Sequence, residues 1–248
     1  MKWIRRFAVA LKNPHLVYRR IRFGPSRLSI IELDEIERFL LYRGCIIEAG
    51  ASDGVDTYNL SQRFKTHRIF AIEPVIEQYR HLQSFLKSSE MISLFNLALA
   101  DKRGFTEINI GSDETSTLGG MGSSSLLIPT KHSAEFPQIK FYKRQRIESV
   151  TIHEFAKDNY IDFVDLLWLD LQGLEYSVIQ SSSEWIKKHV NCIHLELNRI
   201  SLYEGAPKSR VVEKYIKSLG FLKCIDRVGI TSGNALFFNN SFKTRPAS

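Results

Sequence analysis

The sequence predicts an α/β protein built on a Rossmann-like, doubly wound sheet that is mostly parallel and ends in an antiparallel hairpin. Short apolar runs alternate with helical segments from residue 45 onward. Glycines or acidic residues end several of these runs, where the carboxyl ends of parallel strands would bind a ligand. The chain has 248 residues, 44% of them hydrophobic and 25% charged, so it is long enough for one large core.

Seven apolar runs form the predicted sheet. The first five should be parallel strands separated by helices, because strands that alternate with helices form βαβ units. These runs are 45–48, 68–73, 91–98, 166–170 and 192–196. The last two runs, 221–225 and 234–238, should pair as an antiparallel hairpin at the edge of the sheet.

Helical periodicity fills the spaces between the runs. The predicted helices are 29–42, 55–64, 75–86, 208–219 and one that starts near Glu175. Gly44 and Gly220 follow two of these helices at the position where glycine favours a helix end. The spacing of apolar residues also predicts two short helices before residue 24.

Residues 111–147 interrupt the alternation. The stretch 111–125 is rich in glycine, serine and threonine, and 140–146 is basic. A long segment without periodicity inside a compact domain is usually functional, so 111–147 is predicted to be an inserted loop or lid. The main domain is predicted to span 44–240, followed by a tail over 241–248.

The positive charge of the chain is concentrated at its start. The formal net charge is +7, but residues 1–27 hold eight basic and no acidic residues. Residues 28–248 hold 26 basic and 27 acidic residues, so the main domain is near neutral, which argues against a nucleic-acid partner. The basic amphipathic segment within 1–43 is expected to cap the sheet, to contact an acidic partner or to lie on an anionic membrane face.

Cysteine usage predicts a reducing compartment. Cys45, Cys192 and Cys224 are odd in number, widely spaced and placed in apolar runs, which indicates buried thiols rather than disulfides or a zinc site. No stretch of about 18 apolar residues is present. We therefore expect a cytoplasmic protein without a bound metal, with peripheral membrane contact through 1–27 as an alternative.

The first strand leads into a turn suited to binding a nucleoside. Residues 48–54 read Glu-Ala-Gly-Ala-Ser-Asp-Gly. Gly50 and Gly54 allow a sharp turn and close approach of a ligand to the backbone. Ser52 and Asp53 can bond to ligand hydroxyls or cap the helix that follows.

Glu73 ends the second strand, where an acidic side chain can accept hydrogen bonds from both hydroxyls of a ribose. The dinucleotide fingerprint G-x-G-x-x-G is not met, because Ser52 and Val55 stand at its second and third glycines. A nicotinamide-dependent oxidoreductase is therefore the weaker alternative to another nucleoside ligand.

An ordered set of further motifs resembles the FkbM family of class I S-adenosylmethionine-dependent methyltransferases. The matching stretches are 71–74 AIEP, 96–101 NLALAD, 123–126 SSSL, 150–155 VTIHEF, 167–175 LWLDLQGLE and 193–197 IHLEL. The fifth of these is similar to the family's LKIDVEGAE. Trp168 replaces the usual lysine there, and Gln172 replaces the usual glutamate.

The resemblance implies a seven-stranded class I methyltransferase sheet and methyl transfer from S-adenosylmethionine, with a hydroxyl of a sugar, glycan or other small metabolite as acceptor. The implied cofactor-binding residues are Glu48, Gly50, Ser52, Asp53, Gly54, Glu73, Ala98, Asp101 and Asp170. The implied catalytic residues are Asp170, Glu196 and Gln172, and the substrate-side candidates are Glu175, His194 and Asn198.

Two of these residues have structural alternatives. Glu175 begins a helix, where a carboxylate is favoured by the helix dipole alone, and His194 lies in an apolar strand where it can be a core residue. Gln172 keeps hydrogen-bonding reach but lacks a charge. A non-catalytic nucleoside-binding protein of the same fold therefore remains an alternative to the enzyme.

Overall fold

The computed structural model describes residues 31–86, 89–113, 122–229 and 232–242. The basic segment 1–27, the two short helices predicted within it and the end of the predicted tail lie outside these residues. No helix in the described ranges is long and apolar enough to cross a membrane.

The strands of the described chain are β1 (Cys45–Ala49), β2 (Arg68–Ile72), β3 (Ile92–Phe95), β4 (Ala98–Leu99), β5 (Gly104–Asp113), β6 (Ile139–Val150), β7 (Val164–Leu169), β8 (Val190–Asn198), β9 (Phe221–Asp226) and β10 (Ser232–Asn239). Seven of them form the main sheet, in the order β3-β2-β1-β7-β8-β10-β9. Pairing is parallel from β3 to β8, and β10 is antiparallel to both β8 and β9. The predicted doubly wound sheet with a terminal hairpin is confirmed, and its strand order reverses between β1 and β7.

Helices cover both faces of the sheet. The described helices are α1 (Leu33–Glu37), α2 (Val55–Arg63), α3 (Ile76–Phe85), α4 (His132–Glu135), α5 (Ile152–Asp158), α6 (Glu175–Ser181), α7 (Ser183–His189) and α8 (Ser209–Ser218). Apolar residues of α1, α2 and α3 pack on the face that carries Ile46 and Trp168. Those of α5, α6, α7 and α8 pack on the opposite face, which carries Ile47 and Leu167.

The predicted strand over 91–98 is divided in two. β3 belongs to the main sheet, whereas β4 pairs with β6 in a second, three-stranded sheet. Between them, the Asn96 amide donates hydrogen bonds to the carbonyl oxygens of Glu73 and Pro74, at 2.9 and 3.0 Å. These two bonds hold the chain where it leaves the main sheet, so the predicted run 91–98 does not form a single strand.

The prediction of an aperiodic segment over 111–147 is wrong at both of its ends. β5 and β6 pair in an antiparallel ribbon from Gly104–Ser149 to Asp113–Ile139. Ile108, Ile110 and Ile147 face Val75 and Ala98 in a small core of their own. The ribbon was missed because charged residues on its exposed face hide the alternation of the buried side chains.

The helix predicted over 29–42 is much shorter in the structure, where α1 ends at Glu37. The chain after it is held by tertiary hydrogen bonds instead of helical ones. Asp165 accepts from the backbone N–H of Leu41 and Arg43, and the Asn191 amide donates to Phe39 O. These contacts connect residues more than a hundred positions apart, so local periodicity gave no sign of them.

Candidate functional site

The loops that follow β1 and β7 meet at the point where the strand order reverses. Gly50 has a φ of 89°, and a Cβ atom there would overlap the backbone carbonyl oxygen of Asp170. Gly54 has a φ of 79° and packs against the side chain of Leu82. Both positions therefore require glycine, and the close approach at Gly50 brings the turn over 50–54 against Asp170.

Glu73 joins that turn to the carboxyl end of β2. Its carboxylate accepts hydrogen bonds from the backbone N–H of Ser52 and of Val75, both at 2.8 Å. The side chain is only 5% exposed, and burial raises its pKa to about 7 against the opposing effect of the two N–H donors. Ser52 itself is held at a φ of 48°, which points its N–H toward the carboxylate.

Asp53, the neighbour of Ser52, has a different contact. Its Oδ1 accepts a hydrogen bond from the backbone N–H of Val55 at 3.1 Å, at the first turn of α2. The structure therefore places Asp53 at the start of a helix, where a carboxylate satisfies an unpaired N–H donor.

Asp170 lies among three buried or partly buried carboxyl groups, which together with it form the acidic cluster: Glu73, Asp170, Glu175 and Glu196. Burial is the main cause that raises the pKa of Glu175 to about 7 and that of Glu196 to about 8. The negative charge of Asp170 raises the pKa of all three glutamates further. Raised carboxyl pKa values of this kind are typical of functional sites.

Glu175 also shapes the loop after β7. Its Oε1 accepts from the Leu171 N–H at 2.9 Å, and its Oε2 accepts from the Gly173 N–H at 3.1 Å. The carboxylate thus closes the loop that carries Asp170. Together with Glu196, Asn198 and Tyr203, it lines a cavity of about 20 Å³, which is enough space for one water-sized group.

Gln172 connects this loop to two other parts of the chain. Its Nε2 donates to Asp170 Oδ1 at 2.6 Å, and its Oε1 lies 3.0 Å from the hydroxyl of Tyr203. The Ser125 hydroxyl donates to the backbone carbonyl of Gln172 at 2.9 Å. Gln172 has a φ of 52°, so these contacts hold a left-handed backbone that glutamine seldom adopts.

Residues 122–132, which we name the strap, cross the carboxyl ends of β1 and β7. At one end a Cβ atom on Gly122 would lie 3.4 Å from Ser52 Oγ. Further along, Ser125 bonds to Gln172, and the Thr130 N–H donates to Leu202 O at 3.0 Å. The strap is the part of the predicted 111–147 segment that covers the site.

His194 and Glu48 lie on one sheet face with Trp168 between them. The three residues are adjacent in register on β8, β1 and β7. His194 is buried, and its ring stacks on the indole of Trp168 with centroids 3.6 Å apart. Glu48 is buried as well. This row lies inside the sheet, one position before the residues that reach its carboxyl edge.

Ala98 and Asp101 belong to β4 and to the turn that follows it. Ala98 is buried in β4, and Asp101 is exposed in the turn that follows. Residues 100–106, which include this turn and the start of β5, line a cleft of about 470 Å³ with Leu126, Leu127 and the first residues of α6. Gly173 borders both the cleft and the small cavity beside Glu196, so the two spaces meet at the loop after β7.

Tyr203 and Ser125 are not among the site residues that the sequence predicts. Tyr203 is 1% exposed, although it lies in a loop after β8 that also contains Gly205 and Pro207. An aromatic residue in such a loop gives only a weak signal, because its partners come from distant parts of the chain. Among the described residues, no group of histidine, cysteine, aspartate and glutamate side chains is arranged to hold a metal ion.

The seven-stranded sheet is mostly parallel and ends in two antiparallel strands. The family model described as "Methyltransferase FkbM domain" matches residues 48–223, and the chain belongs to this family. The protein is thus a methyltransferase by family, which supports that interpretation over the nicotinamide-dependent alternative.

Individual relatives are distant. The 2-O-methyltransferase NoeI of Sinorhizobium fredii is 23% identical over 167 residues, which cover 67% of this chain and 68% of that protein. The methyltransferase FkbM structure from Methylobacillus flagellatus KT has a TM-score of 0.48 and 15% identity; the match covers 79% of this chain and 44% of that one. Aeropyrum pernix fibrillarin with natively bound S-adenosyl-L-methionine has a TM-score of 0.45 and 12% identity, covering 78% and 66%.

Proposed function

We propose that the protein transfers a methyl group from S-adenosylmethionine to a hydroxyl oxygen of a sugar, glycan or similar small acceptor. The observation that carries this proposal is the arrangement of Glu73 against the glycine turn, with Asp170 on the opposite side of that turn. This arrangement places two acidic side chains at the carboxyl end of the sheet. Glu73 can bind the ribose hydroxyls, and Asp170 makes the neighbouring region acidic.

The nucleoside part of the cofactor matches the donors and acceptors that are present. Ribose hydroxyls are donors, and the two oxygens of Glu73 each accept one backbone hydrogen bond and retain further acceptor capacity. The cleft beside Asp101 combines polar and apolar walls, as an adenine ring requires. We assign Ala98 and Asp101 to the border of the adenine, and Gly50, Ser52 and Gly54 to the amino-acid and ribose portion.

The charge of the site matches the reacting end of the cofactor. The acidic cluster places Asp170 beside three carboxyl groups that ionise near neutral pH, in a partly buried region where electrostatic interactions are stronger than in water. S-adenosylmethionine carries a positively charged sulfonium, which makes its methyl group electrophilic. Binding of this cation relieves the mutual repulsion of the carboxylates, so the cluster favours it over the neutral product S-adenosylhomocysteine.

The remaining residues position the acceptor and handle its proton. The small cavity beside Glu196 and Asn198 holds one hydroxyl-sized group next to a carboxyl whose pKa is raised to about 8. A base with a pKa near the working pH is effective, so Glu196 accepts the hydroxyl proton while the oxygen bonds to the methyl carbon. Asp170 orients the reacting groups, and the strap excludes water.

Oxygen as the methylated atom is supported by the name of the relative NoeI, a 2-O-methyltransferase. The site adds a physical reason, because a carboxyl group with a raised pKa assists an alcohol in losing its proton, whereas a neutral amine or thioether needs no such help. We assign Glu175 and Asn198 to the acceptor side of the cavity, and His194 to a wall formed with Trp168.

Isothermal titration calorimetry with S-adenosylmethionine tests the cofactor assignment. We expect the unmodified protein to bind it, and Glu73→Ala to weaken binding by at least tenfold because the ribose hydroxyls lose their acceptors. Glu184→Gln, which changes an exposed glutamate of α7, is the matched control and should bind as the unmodified protein does. Absence of binding by the unmodified protein contradicts the proposal.

The acceptor is tested separately with S-adenosylmethionine labelled in its methyl group. The protein is incubated with separate pools of sugar nucleotides, free glycans and small alcohols, and labelled products are located by mass spectrometry. A methyl ether on a hydroxylated product supports O-methylation, whereas label found only on nitrogen or sulfur would overturn it.

A further inference from the structure

The small cavity beside Glu196 is too small for a whole acceptor molecule. Its volume of about 20 Å³ admits one water-sized group, so only the reacting hydroxyl of the acceptor fits there. The rest of the acceptor has to lie in space that adjoins the cavity. Gly173 and Pro207 line both the cavity and the cleft of about 470 Å³, so the cleft provides that space.

Gly173 lies between the walls of the two spaces. A Cβ atom on this residue, whose φ is 103°, would lie 3.1 Å from Ala206 Cβ and 3.3 Å from Leu127 Cδ1. Ala206 lines the cavity and Leu127 lines the cleft. The residue with the least bulk therefore stands where the cavity and the cleft meet, and its neighbours on both sides are apolar.

The cleft is larger than an adenine ring requires. Pockets of roughly 300–1,000 Å³ hold drug-sized ligands, whereas adenine is a single fused ring system. An adenine beside Asp101 therefore leaves part of the cleft for another ligand. The wall also contains Phe105, Tyr176 and Pro207, which provide apolar surface for that ligand.

Phe105 gives the cleft an aromatic surface that water can reach. The residue is 66% exposed, and the guanidinium of Arg146 lies 4.3 Å from the centroid of its ring. This cation–π contact holds the ring in one orientation while most of its surface stays open. The C–H face of a sugar ring can pack on such a surface, because the contact removes apolar area from water on both sides.

The polar groups of the cleft suit sugar hydroxyls better than a diphosphate. Asp101 and Lys102 are both exposed, so the wall offers an acceptor and a donor, and a hydroxyl uses both. A diphosphate is bound by several cations. Arg103, the arginine of the wall, is already bonded to Glu154 at 3.1 Å and to Asp158 at 2.5 Å.

We propose that the cleft binds a second sugar ring of the acceptor, with Phe105 as its stacking surface, so that the acceptor is an oligosaccharide of two or more rings. The inference rests on the proposed function and names the substrate class of the same site. The first ring places its hydroxyl beside Glu196, and the second ring extends past Gly173 into the cleft. A monosaccharide lacks the contact with Phe105 and binds more weakly.

The test measures binding with S-adenosylhomocysteine present, so that the cofactor site is filled and no methyl group is transferred. A glycan array of mono- to tetrasaccharides first identifies a bound oligosaccharide. Calorimetry then gives the affinity of the protein for that oligosaccharide, for each monosaccharide that it contains, and for UDP and GDP.

Three variants isolate the stacking surface. Phe105→Ala removes the aromatic ring, and Phe105→Tyr keeps it. Tyr142→Ala is the matched control, because Tyr142 is an aromatic residue of β6 that is 55% exposed and lies outside the wall of the cleft. Phe105 and Tyr142 are exposed, so the thermal unfolding midpoint should stay close to that of the unmodified protein.

We expect the oligosaccharide to bind at least fivefold more tightly than any of its monosaccharides. Phe105→Ala should weaken oligosaccharide binding about tenfold, whereas Phe105→Tyr and Tyr142→Ala should change it less than twofold. The affinity for S-adenosylhomocysteine should change less than twofold in all three variants, because the adenine is assigned to the border at Asp101.

The outcomes separate this inference from the proposed function. If the unmodified protein does not bind S-adenosylhomocysteine, the cofactor assignment itself fails. If it does, and either no oligosaccharide binds or Phe105→Ala binds it as the unmodified protein does, the second sugar site is overturned while the cofactor assignment stands.

Two further results would also overturn the inference. A tenfold loss of affinity for S-adenosylhomocysteine in Phe105→Ala would assign the whole cleft to the cofactor. Binding of UDP or GDP that is lost in Phe105→Ala, without binding of an oligosaccharide, would assign the cleft to a sugar nucleotide.

Discussion

Both ends of the central sheet contain buried carboxyl groups, but their surroundings are opposite. At the amino end Asp165 is fully buried and has four partners: the backbone N–H of Leu41 and Arg43, the Asn191 amide and the ring of His67. At the carboxyl end the acidic cluster gathers four carboxyl groups around the loop after β7.

The difference shows how to distinguish a structural carboxylate from a ligand-binding one. A single buried carboxylate whose oxygens are met by donors stabilises the chain segments that supply those donors. Carboxyl groups that are buried, and that also repel one another, have raised pKa values and destabilise the fold at high pH. We therefore expect mutations at the amino end to change stability, and mutations at the carboxyl end to change the response to ligand and pH.

The largest effect is expected at the amino end. Asp165→Ala leaves the backbone N–H of Leu41 and of Arg43 without an acceptor inside the protein and removes one of the two acceptors of the Asn191 amide, which should cost about 3–5 kcal/mol of unfolding free energy. Urea denaturation measures the loss, and Asp162→Ala, at an exposed position just before β7, is the matched control. A loss below about 1 kcal/mol would remove the distinction between the two ends.

The next largest effect is expected in the acidic cluster, where removing a carboxyl group should raise the unfolding free energy at high pH instead of lowering it. Because the pKa of Glu196 is raised to about 8 in the folded protein, the folded state holds a proton that the unfolded state has lost above pH 4.5. The unfolding free energy should therefore fall as pH rises from about 4.5 to 8 and then level off.

Glu196→Gln removes this contribution and should raise the unfolding free energy at pH 9 by about 1–2 kcal/mol relative to the unmodified protein. At pH 5 the two proteins should be nearly equally stable, because Glu196 is then protonated in the folded state. Chemical denaturation at both pH values measures the difference, with Glu184→Gln as the exposed control. Equal unfolding free energies of the two proteins at pH 9 would mean that the charge of Glu196 does not destabilise the folded state.

The smallest effect is expected at Asp53, a carboxylate at the carboxyl end whose described contact resembles those at the amino end. Asp53→Ala removes the acceptor for the Val55 N–H at the start of α2 and should cost about 0.5–1 kcal/mol. If capping is its main role, calorimetry should show the affinity for S-adenosylmethionine changed less than threefold. A tenfold loss of affinity with unchanged stability would instead place Asp53 in direct contact with the ligand.

The sequence was sufficient wherever neighbouring residues determine the structure. The seven strands of the main sheet could be located because each is a compact apolar run between helical segments or turns. It failed at β5 and β6, whose pattern is masked by exposed charges, and at the end of α1, where Asp165 competes with helical hydrogen bonds. Both failures concern contacts between distant parts of the chain.

The candidate site shows the same division. Glu73 and the glycine turn were predicted from their places at strand ends, and the structure joins them through the Ser52 N–H. The contact of Tyr203 with Gln172 could not be predicted, because 31 positions separate the two residues and no local pattern connects them.

The sequence by itself determined the fold class, the order of strands and helices along most of the chain, and the family, because these follow from hydrophobic periodicity and from motifs at strand ends. Only the tertiary structure decided that four carboxyl groups share one region, that the strap crosses it, and that the Gln172 amide donates to Asp170. The reason is physical: burial and charge proximity depend on distances in space, which the parallel sheet and its crossing loops create.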